Sequence, residues 1–142
     1  MYTALEIAKY IINKCLELNR PISNLQLQKI LYYVQGEYIK KTNGEVLFKD
    51  KIVAWGHGPS VPSVYFEYNN YCSSEIVVRQ NNIELNQLVM DIIDPIINEK
   101  SSYSSWSLVE MTQKENPWIN TFVPNSTNII TINELRKWFK IK

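Results

Sequence analysis

The sequence predicts a mainly α fold, a compact single-domain bundle of about five to seven helices with a minor β component of short strands. Three observations support this prediction. The chain has 142 residues, enough for one hydrophobic core but not for two. Hydrophobic residues make up 45% of it and charged residues 20%, as in ordinary globular domains. Three helix-capping boxes precede apolar residues at helical spacing. We therefore assign residues 1–142 to one domain.

The first two helices are predicted by their N-terminal signals. Thr3 with Glu6 and Ser23 with Gln26 form capping boxes, in which each side chain bonds the other residue's backbone N–H. Apolar residues then recur every three or four positions, at Ala4, Ala8, Ile11, Ile12 and Cys15 in the first helix and at Leu27, Ile30, Leu31, Val34 and Tyr38 in the second. The first helix should end at residues 19–21 and the second at Lys41 or Thr42.

The middle of the chain is less regular. Residues 46–48 and 52–55 are predicted to be short strands or extended arms, and the glycines of residues 56–59 should break regular structure. Pro62 suits the first turn of a short helix that runs to about Asn69. Residues 75–79 have the pattern of a further strand.

The C-terminal part is predicted to be helical again. From Glu84 onwards one helix face holds Leu85, Leu88, Val89, Ile92, Ile93 and Ile96, with a kink or a helix boundary at Pro95. Another helix should begin at Ser104 or Ser105, continue to Lys114 and be closed by Pro117 and Trp118. The third capping box, Thr131 with Glu134, starts a last helix with Ile132, Leu135 and Phe139 inward and Arg136, Lys137 and Lys140 outward.

Composition excludes several classes of protein. The net charge is +1, whereas a nucleic-acid protein that binds through a strongly basic surface is further from balance. Two cysteines, Cys15 and Cys72, are too few for a disulfide framework, and one histidine cannot form a multi-histidine metal site. The apolar runs are short and interrupted by polar residues, so we expect neither a signal peptide nor a membrane span. We expect a cytoplasmic protein without a cofactor.

The single histidine, His57, lies between two glycines, where the backbone can approach a ligand closely. A general base needs a nucleophile or a substrate group beside it. None of the established catalytic motifs accompanies His57, and the pair Asp91 and Asp94 lacks the further oxygen ligands that a divalent cation needs. We therefore expect a structural or partner-contacting histidine, and no enzyme.

One flank of the second helix is polar, and aromatic residues are frequent. Gln28, Tyr32 and Gln35 fall on this flank, and buried polar groups need partners, so we expect residues 55–62 to dock there. The alternatives are internal polar packing and a platform for a partner.

The chain has 9 Tyr and 4 Trp, residue types that anchor protein interfaces but also fill cores. Gln26, Gln28 and Lys29 are thin support for DNA groove readout.

Three blocks of this sequence resemble the Panacea domain family, also called SocA-like. Residues 25–36 (LQLQKILYYVQG) are similar to the family's "LxLQKLLYYxQG" helix. Residues 54–65 (AWGHGPSVPSVY) resemble its "AWxxGPVVPxVY" loop, and residues 106–118 (WSLVEMTQKENPW) its "WxLxxxTHxExPW" block. Residues 4–12 fit as well. Gln113 stands where the family usually has His, and Ser60 replaces a common Val.

The resemblance implies a helical antitoxin of a bacterial or phage toxin–antitoxin pair, encoded on a prophage or another mobile genetic element. It would bind a cognate protein toxin stoichiometrically and turn over nothing. The family's motif positions imply a shared scaffold: Gln28, Lys29, Tyr32, Gln35, Trp55, Gly58, Pro59, Tyr65, Thr112, Glu115, Pro117 and Trp118. As candidates for partner contact we name an exposed stripe of Tyr33, Glu37 and Lys40, together with His57, Arg136 and Lys137.

Three other functions stay open at this point. One is a transcriptional regulator that binds its own operator, whose DNA affinity would fall steeply with salt. Another is a phage accessory or anti-defence protein that acts through protein contacts. The third is an enzyme that uses His57 near Thr112 or Glu115, which would require these groups within about 3 Å of a substrate or of each other.

Overall fold

Seven α-helices make up most of residues 1–141, the part of the chain that the computed structural model describes. They are α1 (Ala4–Glu17), α2 (Asn24–Lys41), α3 (Pro62–Tyr65), α4 (Gln87–Lys100), α5 (Ser105–Gln113), α6 (Asn116–Ile119) and α7 (Ile132–Ile141). A small antiparallel sheet of β1 (Ile52–Trp55), β2 (Gly58–Ser60) and β3 (Ile129–Ile130) joins them, and Asn69–Tyr71 form one 3₁₀ turn. The predicted mainly α fold with a minor β component is therefore confirmed. Lys142, which the predicted domain of residues 1–142 includes, lies outside the described residues.

The N-terminal signals of α1 and α2 are present as predicted. The side chains of Thr3 and Ser23 accept hydrogen bonds from the backbone N–H of Glu6 and Gln26, and both reciprocal bonds are formed. The predicted apolar face of α1 is buried. Helix α2 is buried on nearly every side, because it packs against α1, α4, α5 and α7 as well as β2.

The sheet has the order β2-β1-β3, and the sequence predicted only β1 of its three strands. Residues 46–48, expected to be a short strand or an extended arm, join no strand of the sheet. Phe48 forms only an isolated bridge with Tyr2, and the backbone of Leu47 and Phe48 bonds to the side chain of Gln35. Residues 75–79 are not a strand either, and form only an isolated bridge between Ser23 and Glu75. β2 forms where a break was expected, because Gly58 adopts a φ of 102°.

Several details of the later helices also differ from prediction. α3 ends at Tyr65 rather than near Asn69, and Pro117 and Trp118 lie in the separate short helix α6. α4 starts only at Gln87, and its buried residues are Val89, Ile92, Ile93 and Ile97, so Leu88 points outward and is 61% exposed. In the same way Ile132 is exposed in α7, whereas Leu135 and Phe139 are buried as expected.

Pro95 neither ends nor divides α4, which continues to Lys100. A proline inside a helix removes one N–H donor and leaves the carbonyl of the residue four positions earlier without its partner. Here that residue is Asp91, and both Asp91 and Pro95 are exposed, so water can reach this part of the helix.

Candidate protein-binding site at the β1–β2 hairpin

Side chains of α5 and α6 hydrogen-bond the turn between β1 and β2. Trp55 pairs with Gly58 across the turn, and the indole N–H of Trp118 donates to the Trp55 carbonyl at 2.7 Å. The side-chain amide of Gln113 donates to the Gly56 carbonyl at 2.9 Å. Two carbonyls at the tip of the hairpin are therefore bound by side chains from another part of the chain, which fixes the tip in place.

Four rings cluster on the outer side of this turn. The centroid of the Trp55 ring lies 5.1 Å from that of Tyr65, 5.7 Å from that of His57 and 6.2 Å from that of Phe66. His57 also stacks on Tyr65 at 6.0 Å. Phe66 is 63% exposed, and Trp55, His57 and Tyr65 are half-buried. The cluster thus presents aromatic surface to solvent while its members support one another.

A groove of about 610 Å³ runs beside this cluster, between the hairpin tip and the loop of residues 122–127. Phe122 lines the groove and stacks on Trp118 at 4.6 Å between centroids, while Pro124 and Thr127 are exposed in the loop. We call the aromatic cluster and this wall together the hairpin-tip patch, which consists of Trp55, His57, Tyr65, Phe66, Phe122 and Pro124.

His57 contributes a neutral ring to the patch. Its Nδ1 is buried and has no hydrogen-bond partner, and neither Thr112 nor Glu115 bonds to it. Burial lowers the pKa of His57 below its ordinary value. The imidazole is therefore uncharged at pH 7, and the proton-transfer pairs considered for an enzyme are not formed in this structure.

Lys29 lies directly beneath the hairpin and is fully buried. Its Nζ donates to the Pro59 carbonyl at 2.7 Å and to the Ser60 hydroxyl at 3.2 Å, and within residues 1–141 it forms no ion pair. Burial holds the pKa of Lys29 well below its usual value, because the charged ammonium loses its water shell. Close approach of the chain here requires Gly58, since a Cβ at that position would lie 2.8 Å from the Thr112 hydroxyl.

The depressed pKa of Lys29 makes stability depend on pH. Between the folded and unfolded pKa values the unfolded chain binds the proton and the folded chain does not, so the free energy of unfolding rises with pH, by at most about 1.4 kcal/mol per pH unit. Cys15 has the opposite effect on stability. Burial raises the pKa of its thiol to about 12, so the thiol ionises at a lower pH in the unfolded chain, and the free energy of unfolding falls as pH rises. We expect Lys29→Met to remove the contribution of Lys29, which increases stability as pH rises, and to leave the contribution of Cys15 unchanged.

The test compares urea unfolding of wild type and Lys29→Met from about pH 7 up to about pH 10, near the ordinary pKa of lysine, and the slope of the free energy of unfolding against pH is measured for each. Cys15 affects both proteins equally, so the difference between the two slopes isolates Lys29. Equal slopes would show that Lys29 is protonated in the folded chain. The absolute stabilities are not compared, because methionine also leaves the Pro59 carbonyl without its donor.

Glu115, in the turn between α5 and α6, binds two tyrosines of α2. The hydroxyls of Tyr32 and Tyr33 each donate to one of its carboxylate oxygens at 2.8 Å. Burial, with the adjacent carboxylate, raises the pKa of both tyrosines far above the ordinary value, so both stay protonated. Lys100 covers the ring of Tyr33 at 4.3 Å. The prediction of an exposed Tyr33 is wrong: it is 6% exposed and belongs to the interior.

Gln28 and Gln35, on the polar flank of α2, bind backbone groups. Gln28 accepts from Val61 N–H at 2.8 Å, which confirms that residues 55–62 dock on this flank. Gln35 instead accepts from Leu47 N–H at 2.7 Å and donates to the Phe48 carbonyl at 2.8 Å. The backbone groups of Val61, Leu47 and Phe48 lie outside the three strands, so they lack a partner from a neighbouring strand. The side-chain amides of the two glutamines supply the hydrogen bonds instead.

The other candidate partner residues are scattered. Lys40 is exposed, while Glu37 is half-buried and pairs with Lys41 at 3.9 Å. Arg136 donates from Nε to the Gly44 carbonyl at 2.9 Å, so part of its guanidinium holds α7 to the end of α2. Lys137 is exposed and lies 3.9 Å from Glu134. Of all these candidates, only His57 lies in the hairpin-tip patch.

Half of the patch was missed by sequence reasoning. Phe66, Phe122 and Pro124 stand outside the three motif blocks, and their proximity to Trp55 depends on how the loops close over the sheet. One available signal was the position of Phe66 directly after the last motif residue, Tyr65.

The fold and the site define a small helical domain that presents a fixed aromatic surface. Within the described residues, no helix is both long and apolar enough to cross a bilayer, and no cluster of three metal-ligating side chains occurs. A sequence model of the family described as "Antitoxin SocA-like, Panacea domain" matches residues 27–119, and the chain belongs to this family. All three motif blocks fall largely within the match, whereas residues 4–12 precede it.

One curated relative carries the name Antitoxin SocA and comes from Caulobacter vibrioides (strain NA1000 / CB15N). It is 39% identical to this chain over 59 residues, which are 42% of this chain and 31% of the relative. The match thus spans about a third of the relative's length. No solved structure matches the chain at a significant level.

Proposed function

We propose that this chain is the antitoxin of a toxin–antitoxin pair and that it neutralises a protein toxin by direct, stoichiometric binding in the cytoplasm. Membership of the SocA-like family supports an antitoxin role. The observation that carries the binding mechanism is the hairpin-tip patch, in which partly exposed aromatic side chains are held on a fixed turn. Surfaces of this kind anchor protein–protein interfaces.

Masking requires no chemistry from the antitoxin. The buried polar groups of the site, Lys29, Gln28 and Glu115, are occupied by bonds to the protein's own backbone and side chains. They hold the hairpin, the α5–α6 turn and α2 together and leave the aromatic rings as the outward-facing part. A complex of ordinary stability would bury roughly 1,600 Å² in total, which extends beyond the patch to its rim.

The proposal is tested by growth rescue. Each reading frame adjacent to the gene is induced from a foreign promoter on a separate plasmid, with and without this chain. We expect one frame to arrest growth alone and to be rescued by the chain. The foreign promoter ensures that repression of the natural operator cannot explain rescue. Affinity purification of the rescued pair should then give a complex of equal stoichiometry.

Two results would contradict the proposal. One is that no adjacent frame arrests growth. The other is that rescue occurs without a complex surviving gel filtration, which would favour an effect on transcription or on an upstream process instead of masking.

A further inference from the structure

We infer that the hairpin-tip patch is the face that contacts the toxin, and that it accepts an uncharged, apolar segment of that protein in the groove beside Trp55. This inference rests on the proposed function and adds to it the contact face and the chemistry of the partner segment. Three properties of the patch support it, namely its exposed aromatic surface, its fixed geometry and its lack of charge.

The exposed aromatic surface is the first property. Phe66 is 63% exposed although it contacts the rings of Trp55 and Tyr65 at 6.2 and 5.5 Å. Covering such rings removes a large apolar area from water and accounts for much of the binding energy at typical hot spots. Leu88 and Trp106 are equally exposed, but within residues 1–141 neither belongs to an aromatic cluster.

The fixed geometry is the second property. The carbonyls of Trp55 and Gly56 are bound by Trp118 and Gln113, and Gly58 closes the turn over the buried Lys29. The far wall is fixed as well, because Phe122 stacks on Trp118. A surface that is already ordered loses little conformational entropy when a partner binds.

The absence of charge is the third property. The groove is lined by Trp55, Gly56, His57, Phe122, Pro124, Asn125, Ser126 and Thr127, which include no acid, lysine or arginine. His57 is neutral at pH 7 because burial lowers its pKa. A charged partner side chain would lose its water shell here without gaining an opposite charge. The surface therefore matches a segment of uncharged apolar residues.

The inference is tested with two variants, one that places a carboxylate at the patch and one that places it in the wall of the groove beside it. Phe66→Glu changes the exposed ring at one end, and Thr127→Glu introduces a charge into the groove wall. Leu88→Glu is the matched control, because Leu88 is 61% exposed and lies on α4, away from the patch. Thermal unfolding of all four proteins verifies that the substitutions leave the fold intact.

The first probe is a displayed library of random peptides, selected on wild type and used without knowledge of the toxin. We expect enriched peptides to be uncharged and apolar, to bind Leu88→Glu as they bind wild type, and to lose at least about tenfold in affinity for Phe66→Glu and Thr127→Glu. Failure to enrich such peptides, or enrichment of charged peptides whose binding weakens with salt, would overturn the inference.

The second probe is the toxin identified by growth rescue. We expect Leu88→Glu to rescue growth, and Phe66→Glu and Thr127→Glu to fail. If all variants rescue as wild type does, the antitoxin function stands and the patch is not its contact face. If wild type rescues nothing, the proposed function fails, and with it the inference that the patch receives a toxin.

Discussion

Replacing Glu115 by Ala is expected to lower the free energy of unfolding by about 4 kcal/mol, because two buried hydroxyls lose a charged acceptor together. Tyr32 is fully buried and Tyr33 is 6% exposed, so water does not readily replace the carboxylate at either hydroxyl. Each hydrogen bond to a charged group contributes about 1.5–3 kcal/mol. Urea unfolding of the variant and of wild type measures the difference.

Glu110→Ala is the control for this prediction. Glu110 lies on α5 close to Glu115 in sequence but is exposed, and its removal should change stability by less than about 0.5 kcal/mol. Glu115→Gln should fall between the two, because its carbonyl oxygen can still accept one of the hydrogen bonds. A loss below about 1 kcal/mol for Glu115→Ala would mean that the tyrosine hydroxyls find other partners.

Replacing Gly36 by Ala is expected to lower stability by about 3 kcal/mol. Gly36 lies on α2, and a Cβ at this position would overlap the ring of Phe139 from α7. The ring is buried in the core, and its centroid lies 5.5 Å from that of Tyr32, so it cannot move without displacing other side chains. Overpacking of this kind forces side chains off their rotamers or moves a helix.

A second substitution separates this clash from the helix propensity of the residue. Alanine favours a helix more than glycine does, so Gly36→Ala would stabilise α2 by about 1 kcal/mol if Phe139 were absent. We expect Phe139→Leu to destabilise wild type but to cost much less, or nothing, in the Gly36→Ala background. Additive losses in a double-mutant cycle would show that the two positions do not interact.

The helices were predictable because their signals are local. The capping boxes at Thr3 and Ser23 and the apolar spacing behind them depend on residues within four positions of each other, and both helices form as expected. β3 was not predictable, since its two residues form a strand only by pairing with Ile52 and Val53, far away in sequence. Leu88 was misplaced because α4 starts later and turns a different face inward.

The interior of the site was partly predictable. Buried amides must be bonded, and this requirement correctly placed residues 55–62 against Gln28. The hydrogen bond from Tyr33 to Glu115 could not be predicted in this way. Consecutive residues of a helix point about 100° apart, so Tyr33 was not expected to share a partner with Tyr32. α2 is buried over such a wide arc that both directions are interior.

The burial of α2 on nearly every side has a consequence for which parts of this domain tolerate substitution. A substitution in α2 disturbs the packing of α1, α4, α5 and α7, since a packed interior leaves little room for a side chain of different volume. The hairpin tip and the loop of residues 122–127 border solvent on one side, where Gly56, Pro124 and Thr127 are exposed. Side chains on this solvent-facing side can therefore be exchanged one at a time at a lower cost in stability than those of α2.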